Sequence, residues 1–361
     1  MKNNSLILLI IIAISAISIN ATAQTEIDGY ELVWGDEFDT DGALDDDKWF
    51  HQTQLPSGGS WYNSEIQHYT SKEDNSYVED GIMKIVAKKE TYTDQGVTKQ
   101  YTSARLNSKF AFTYGRVEVR AKLPAGSGMW PAIWMLGQNI NETGAYWQTQ
   151  GYATTAWPAC GEIDIMEHWG DNENVVSSAL HTTSSSGNTV NKGEQTIQNA
   201  CTEFHDYLFE WDEEKMVFSV DGVTHYTYNP AIKNSSTWPY DANQYFILNV
   251  AIQDKLASNF TESSLEIDYI RVYQKVSSVD NNLVKSEITI YPNPTKDIIN
   301  ISSETDIANV TIYNSLGMVV KSVTTDETNP TIDISQLKKG HYIVNIKTID
   351  GENSAHNLIK G

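Results

Sequence analysis

The sequence predicts an all-β protein made of two successive sandwiches. Three observations carry that expectation. Short runs alternate apolar and polar residues, with turn residues between them. Long helical periodicity is missing. Near residue 276 a polar stretch, Val276-Ser277-Ser278-Val279-Asp280-Asn281-Asn282, separates two sets of such runs. With 361 residues the chain is long enough for two domains.

The elements follow in order. Lys2, the apolar run Leu6 to Ile19 and the small residues Ala21-Thr22-Ala23 read as a secretory signal peptide over 1–23. The run is short for a membrane span and lacks basic stop-transfer residues, so no span is expected in the mature protein. Alternating runs then recur at Ile82–Lys88, Gly115–Lys122, Phe204–Trp211, Met216–Val220 and Tyr245–Ile252. Val220-Asp221-Gly222-Val223 reads as a hairpin with a type I′ turn. These strands predict a sandwich over 27–275, a linker over 276–285 and a second domain over 286–361. The second set comprises Ile288–Tyr291, Ile298–Ser302, Val310–Tyr313, Val319–Thr324, Thr331–Asp333 and Tyr342–Lys347. It predicts a small immunoglobulin-like sandwich.

Charge and composition narrow the function. The net charge of −22 argues against nucleic acid and anionic membranes as partners. It is neutral toward an uncharged polysaccharide and disfavours sulfated glycans. Ten Trp and 19 Tyr suit sugar stacking as well as a sandwich core. The two cysteines, Cys160 and Cys201, have no metal-ligand spacing. A disulfide and two separate buried thiols both stand as readings.

Chemistry concentrates in Gly161-Glu162-Ile163-Asp164-Ile165-Met166-Glu167-His168-Trp169-Gly170. On a strand, Glu162 and Asp164 point the same way and Glu167 points the other. One extra residue at Ile165-Met166, a β-bulge, brings Glu167 back to their face. The Cα atoms of the two glutamates then lie roughly 13 Å apart, close enough for leaning side chains to approach the ~5–5.5 Å of a retaining glycosidase. Spacing alone leaves inversion open. A row of like charges is costly to assemble, and glycosidic cleavage is the chemistry that needs two carboxyls in different protonation states. A solvated acidic strand face is the alternative, but Ile163 and Ile165 give this strand an apolar back.

This motif, with Gly35-Asp36-Glu37-Phe38, Tyr114–Pro124, Gly128–Leu136 and Glu266–Tyr273, resembles glycoside hydrolase family 16, in particular its laminarinase-like endo-β-1,3-glucanases. The resemblance implies a jelly roll whose concave sheet holds a polysaccharide. It implies retaining hydrolysis with Glu162 as nucleophile, Glu167 as acid/base and Asp164 orienting one of them. It assigns Trp130, Trp134, Arg105 and Asn63 to sugar binding. Core packing is the alternative for the two tryptophans, and a surface ion pair for Arg105. Trp169, on the face of Glu167, is a further stacking candidate. His181 is read as simply hydrogen-bonded. No cofactor is expected for catalysis. A structural Ca²⁺ is implied, held by Glu37, the Gly81 carbonyl and Asp268. The chain departs from the pattern at Ile252-Gln253-Asp254-Lys255-Leu256-Ala257, where the family has glycine-rich text with a Trp. Mixed-linkage β-glucan, agar and carrageenan are rival substrates on the same fold. A non-catalytic β-glucan-binding protein is the rival of another class, and the presence of both glutamates argues against it.

The tail resembles a type IX secretion sorting domain through Tyr291-Pro292-Asn293-Pro294, Val310–Gly317, Leu337–Tyr342 and Asn357–Lys360. A carbohydrate-binding module is the alternative, but this domain holds no Trp. The implied partners are a polysaccharide and the type IX machinery. The implied course is export across the inner and then the outer membrane, to the cell surface or beyond, as a monomer.

Overall fold

The computed structural model describes residues 27–276, 288–314, 318–351 and 353–361. The signal-peptide segment 1–23 and nearly all of the 276–285 linker lie outside the described residues. The chain divides into two compact units after Val276.

Among the described residues, the first unit is built from a ten-stranded and a seven-stranded sheet. Alternation explains the ten-stranded sheet. In Gly115–Lys122 the residues Val117, Val119 and Ala121 are fully buried. The intervening Arg116, Arg120 and Lys122 pair outward with Glu118, Asp206 and Glu266. The Met216–Val220 and Val223–Tyr228 strands are joined by Asp221 and Gly222, with φ of 50° and 75°, both left-handed as a type I′ turn requires.

The expected Ile82–Lys88 strand runs further, to Asp94, and returns as Val97–Ser103. Polar residues on both faces of this extension hid it from the hydrophobic pattern. Gln95 and Gly96, both at positive φ, make the turn.

The seven-stranded sheet runs in the order Lys192–Thr196, Val175–His181, Glu162–His168, Met129–Gly137, Gln244–Ile252, Arg105–Phe112, Trp49–His51. The run Tyr245–Ile252, expected to alternate, lies in the strand Gln244–Ile252, which is buried at every position. One of its faces meets the main core. On the other, Tyr245 and Ile247 pack with Leu136, Ile140 and Cys160 in a separate cluster, joined by Trp147. A strand covered on both sides has no solvent-facing row, so period-two reading fails there. The main core fills the space between the two sheets, with Ile133, Met135, Ile163, Ile165 and Met166 from the site side.

Among the described residues, the second unit has a three-stranded and a four-stranded sheet. Its core is aliphatic, with Ile299, Ile301, Val310, Ile312, Val344, Ile346 and Leu358. The sandwich expected there is present. Its closing strand, Asn353–Lys360, pairs with Gly340–Thr348 and was not anticipated as a strand, because polar residues occupy most of its length. No helix among the described residues is long and apolar enough to cross a membrane.

Candidate active site

The acid motif forms the strand Glu162–His168, between Met129–Gly137 and Val175–His181. Asp164 pairs with Ala179 and Glu167 with Ser177, so three steps on one strand match two on the other. Toward Met129–Gly137 the register also shifts, between Asp164 and Met166. The expected bulge is therefore present at Ile165-Met166. Ile163, Ile165 and Met166 pack into the core. Glu162, Asp164 and Glu167 line one cleft of about 290 Å³. Gly161 precedes them at φ 81°, where an added Cβ would lie 2.7 Å from the Tyr240 ring. That close approach lets the Tyr240 hydroxyl donate to the Glu162 carbonyl at 3.0 Å.

Each acid has its own partners. The Trp157 indole donates to Glu162 Oε2 at 2.9 Å, and the Trp130 indole donates to Glu167 Oε1 at 3.0 Å. His181 Nε2 lies 3.1 Å from Asp164 Oδ2 and 3.5 Å from Glu162 Oε1. Burial raises Asp164 to about 8. Burial and the neighbouring Asp164 raise Glu167 to about 8, against the Trp130 hydrogen bond. Burial and then Asp164 also push Glu162 upward, opposed by His181 and Trp157. Burial and crowding thus hold protons on Asp164 and Glu167 at neutral pH. Proton retention suits a general acid.

The expected sugar-binding residues separate in the structure. Trp130, Trp134, Arg105 and Asn63 all line the cleft. Trp134 is half-buried, and its indole donates to Asn249 Oδ1 at 2.7 Å. Trp169 is not in the lining; it stacks on Trp130, with centroids 5.8 Å apart. Arg105 is not in a surface ion pair. It is 3% exposed and bonds Glu142 Oε1 at 3.0 Å and Gln52 Oε1 at 3.0 Å. Its guanidinium lies 4.8 Å from the Trp134 ring centroid. The wall around Trp134 extends through Asn249 to the Tyr69 hydroxyl and then to buried Glu65.

Several site residues escaped the sequence. His181 was read as an ordinary hydrogen-bonded histidine but sits against two of the acids. The available signal was strand pairing, since Glu162 and His181 are direct partners across the hairpin. Trp157, Glu142, Asn249 and Glu65 come from distant segments, and no local pattern marks them. The unusual Gln253–Ala257 loop packs against its neighbours through Lys255–Asp171 and a Ser127 hydrogen bond to the Lys255 carbonyl. Cleft lining from this part of the chain stops at Ala251.

The implied calcium ligands are engaged otherwise. Both Glu37 oxygens accept from Arg271, at 2.7 and 2.6 Å. Asp268 Oδ2 lies 3.2 Å from Arg120 Nε. Gly81 occupies the turn before Ile82, at φ 76°. Carboxylates committed to guanidinium groups do not offer the open oxygen cage calcium needs, so these residues as placed do not fit the ion. Among the described residues, the one cluster with metal-ligand proximity is Glu162, Asp164 and His181. Cys160 and Cys201 are unbonded thiols, Cys160 buried and Cys201 partly so. Burial raises both.

Comparison with known proteins agrees with this geometry. The profile of glycosyl hydrolases family 16 matches residues 63–271, and that of the secretion system C-terminal sorting domain matches residues 289–360. A beta-glucanase of Rhodothermus marinus is 37% identical over 263 residues, covering 68% of this chain and 86% of its own. Glucan endo-1,3-beta-glucosidase A1 of Niallia circulans is 34% identical over 288 residues, covering 72% of this chain and 40% of its own. The crystal structure of LamAcat from Zobellia galactanivorans is 47% identical with a TM-score of 0.62, covering 67% of this chain and 97% of that one. The sorting domain marks the protein as secreted or displayed at the cell surface. With its acid strand, cleft and two-sheet jelly roll, the chain belongs to glycoside hydrolase family 16.

Proposed function

We propose that this protein is a secreted endo-acting β-glucanase that cleaves β-1,3-glucan with retention of configuration. The observation that carries the reading is the bulged strand that sets Glu162, Asp164 and Glu167 along one tryptophan-walled cleft. Glu162 attacks the anomeric carbon while the glycosidic C–O bond breaks. Glu167 gives its proton to the leaving oxygen. Water then attacks the glycosyl-enzyme, Glu167 takes a proton from it, and Glu162 leaves. The raised Glu167 supports its part as the acid. Burial and the Asp164 charge push Glu162 up as well, and His181 and Trp157 oppose that and favour the ionised nucleophile.

The lining favours an uncharged glycan. Among the lining residues described, Arg105 is the one Lys or Arg, and its charge is met by Glu142. A sulfated galactan would find no free counter-charge there. The relatives named for β-glucan point the same way. The N-terminal segment supplies a signal peptide in this reading, and the tail engages the type IX machinery.

Reducing-sugar release on laminarin, mixed-linkage β-glucan, agar and carrageenan tests the substrate. NMR of the first-formed product should show the β anomer, and an initial α anomer would overturn the mechanism. Glu162→Ala and Glu167→Ala should each lose on the order of 10²-fold or more in rate while staying folded.

A further inference from the structure

The bulge that turns Glu167 onto the face of Glu162 creates a backbone problem. Toward Val175–His181, Ser178 is the single residue facing Ile165 and Met166, because its neighbours Ala179 and Ser177 pair with Asp164 and Glu167. Toward Met129–Gly137, Trp134 pairs with Asp164 and Ile133 with Met166, which leaves Ile165 without a ladder partner. Ile165 is 3% exposed, so water does not solve the problem.

Ser178 does. Its hydroxyl donates to the Ile165 carbonyl at 2.7 Å. Its Oγ lies 2.9 Å from His225 Nε2. The hydroxyl has one proton, and the carbonyl takes it, so the imidazole must donate from Nε2. Ser178 is fully buried. His225 comes from Val223–Tyr228, the edge strand of the opposite sheet. The relay therefore ties the bulge to the far side of the sandwich.

We propose that Ser178 and His225 are positioning residues for hydrolysis: the hydroxyl pins the Ile165 carbonyl, holds the bulge at one place in the strand and so fixes the separation of Glu162 and Glu167. A bulge that migrates by one residue turns a carboxyl from the cleft into the core. This inference rests on the glycosidase reading above, in which carboxyl separation decides the chemistry. Ser178 is not itself a nucleophile. It lies under the sheet, and its proton is committed to a carbonyl.

The test uses the full chain with Ser178→Ala, Ser178→Thr and His225→Leu. Near-UV circular dichroism and melting establish folding. Two readouts follow: kcat and KM on soluble laminarin, and substrate-free ¹³C NMR titration of the Glu167 carboxyl. Folded Ser178→Ala should lose about 10- to 100-fold in kcat with KM nearly unchanged, as expected of a misplaced reacting group. Its Glu167 should titrate at a different pH from the wild type, because its burial and its distance from Asp164 both change. Ser178→Thr keeps the hydroxyl and should recover most of both, and His225→Leu should lose less than Ser178→Ala. A merely structural role would lower the melting temperature and leave kcat and the titration of the folded protein unchanged, which would overturn the proposal. If Ser178→Ala does not fold, the same two readouts on His225→Leu decide. If the wild type cleaves no glycan on the panel, the functional reading fails, and the titration still decides whether the bulge is pinned.

Discussion

The indole N–H of Trp130 donates to Glu167 Oε1 at 3.0 Å, from a ring stacked on Trp169. This bond favours the ionised carboxylate and opposes burial and Asp164, which both favour the neutral acid. The sugar wall and the proton donor are thus one construction.

Trp130→Phe keeps a ring and removes the donor. Glu167 should then hold its proton to higher pH, and the alkaline limb of the pH–kcat profile should move upward. KM should rise only a few-fold, because an aromatic face remains. A limb that stays in place or moves downward would contradict the role given to this bond.

Stability should fall as pH rises. Asp164 and Glu167 go from ordinary values of 3.8 and 4.5 to about 8 on folding. A raised acid binds more protons folded than unfolded, so its contribution is complete below the unfolded value. It is lost as pH climbs to about 8. Each group that titrates changes stability by about 1.4 kcal/mol per pH unit at most. Melting temperatures from pH 4 to pH 9 should therefore decline, and Asp164→Asn should flatten the decline. A wild type that gains stability across this window would refute the argument.

Arg105 and Glu142 form a buried pair, 4% and 7% exposed at their side chains. Removing one partner strands the other charge. Arg105→Ala should cost about 3–5 kcal/mol in urea unfolding, and Glu142→Ala a similar amount. The double variant Arg105→Met with Glu142→Leu should recover part of that loss. Equal and additive losses in the double variant would show that the two do not act as a pair.

Residues after Lys275 should serve export and not hydrolysis. The catalytic unit keeps its own closing strand, Glu262–Lys275, and the chain divides after Val276. A truncation at Lys275 should retain activity on soluble laminarin when purified from a heterologous cytoplasm. In the native host it should accumulate in the periplasm. Lost activity, or unchanged export, would count against this division of labour.

Much of the architecture was legible because strand periodicity is local. Gly115–Lys122 and Met216–Val220 could be read directly, since one face is apolar and the other charged or polar. The acid row was also legible, since a single bulge reconciles the odd spacing of Glu167 with a shared face. Gln244–Ile252 was less so, because burial on both faces erases alternation. Asp221-Gly222 gave its turn away because few residues accept positive φ.

The tertiary structure decided the rest. Which residue neutralises Arg105, which indole serves each glutamate and what holds Ile165 all depend on segments far apart in sequence. His181 became a member of the acid site only when the hairpin register placed it opposite Glu162. Glu37 and Asp268, plausible as metal ligands by type, turned out to face Arg271 and Arg120. Sequence fixes which groups a strand presents to a face. Packing fixes which groups meet there, because hydrogen bonds and ion pairs act over a few ångströms and their partners are chosen by the fold.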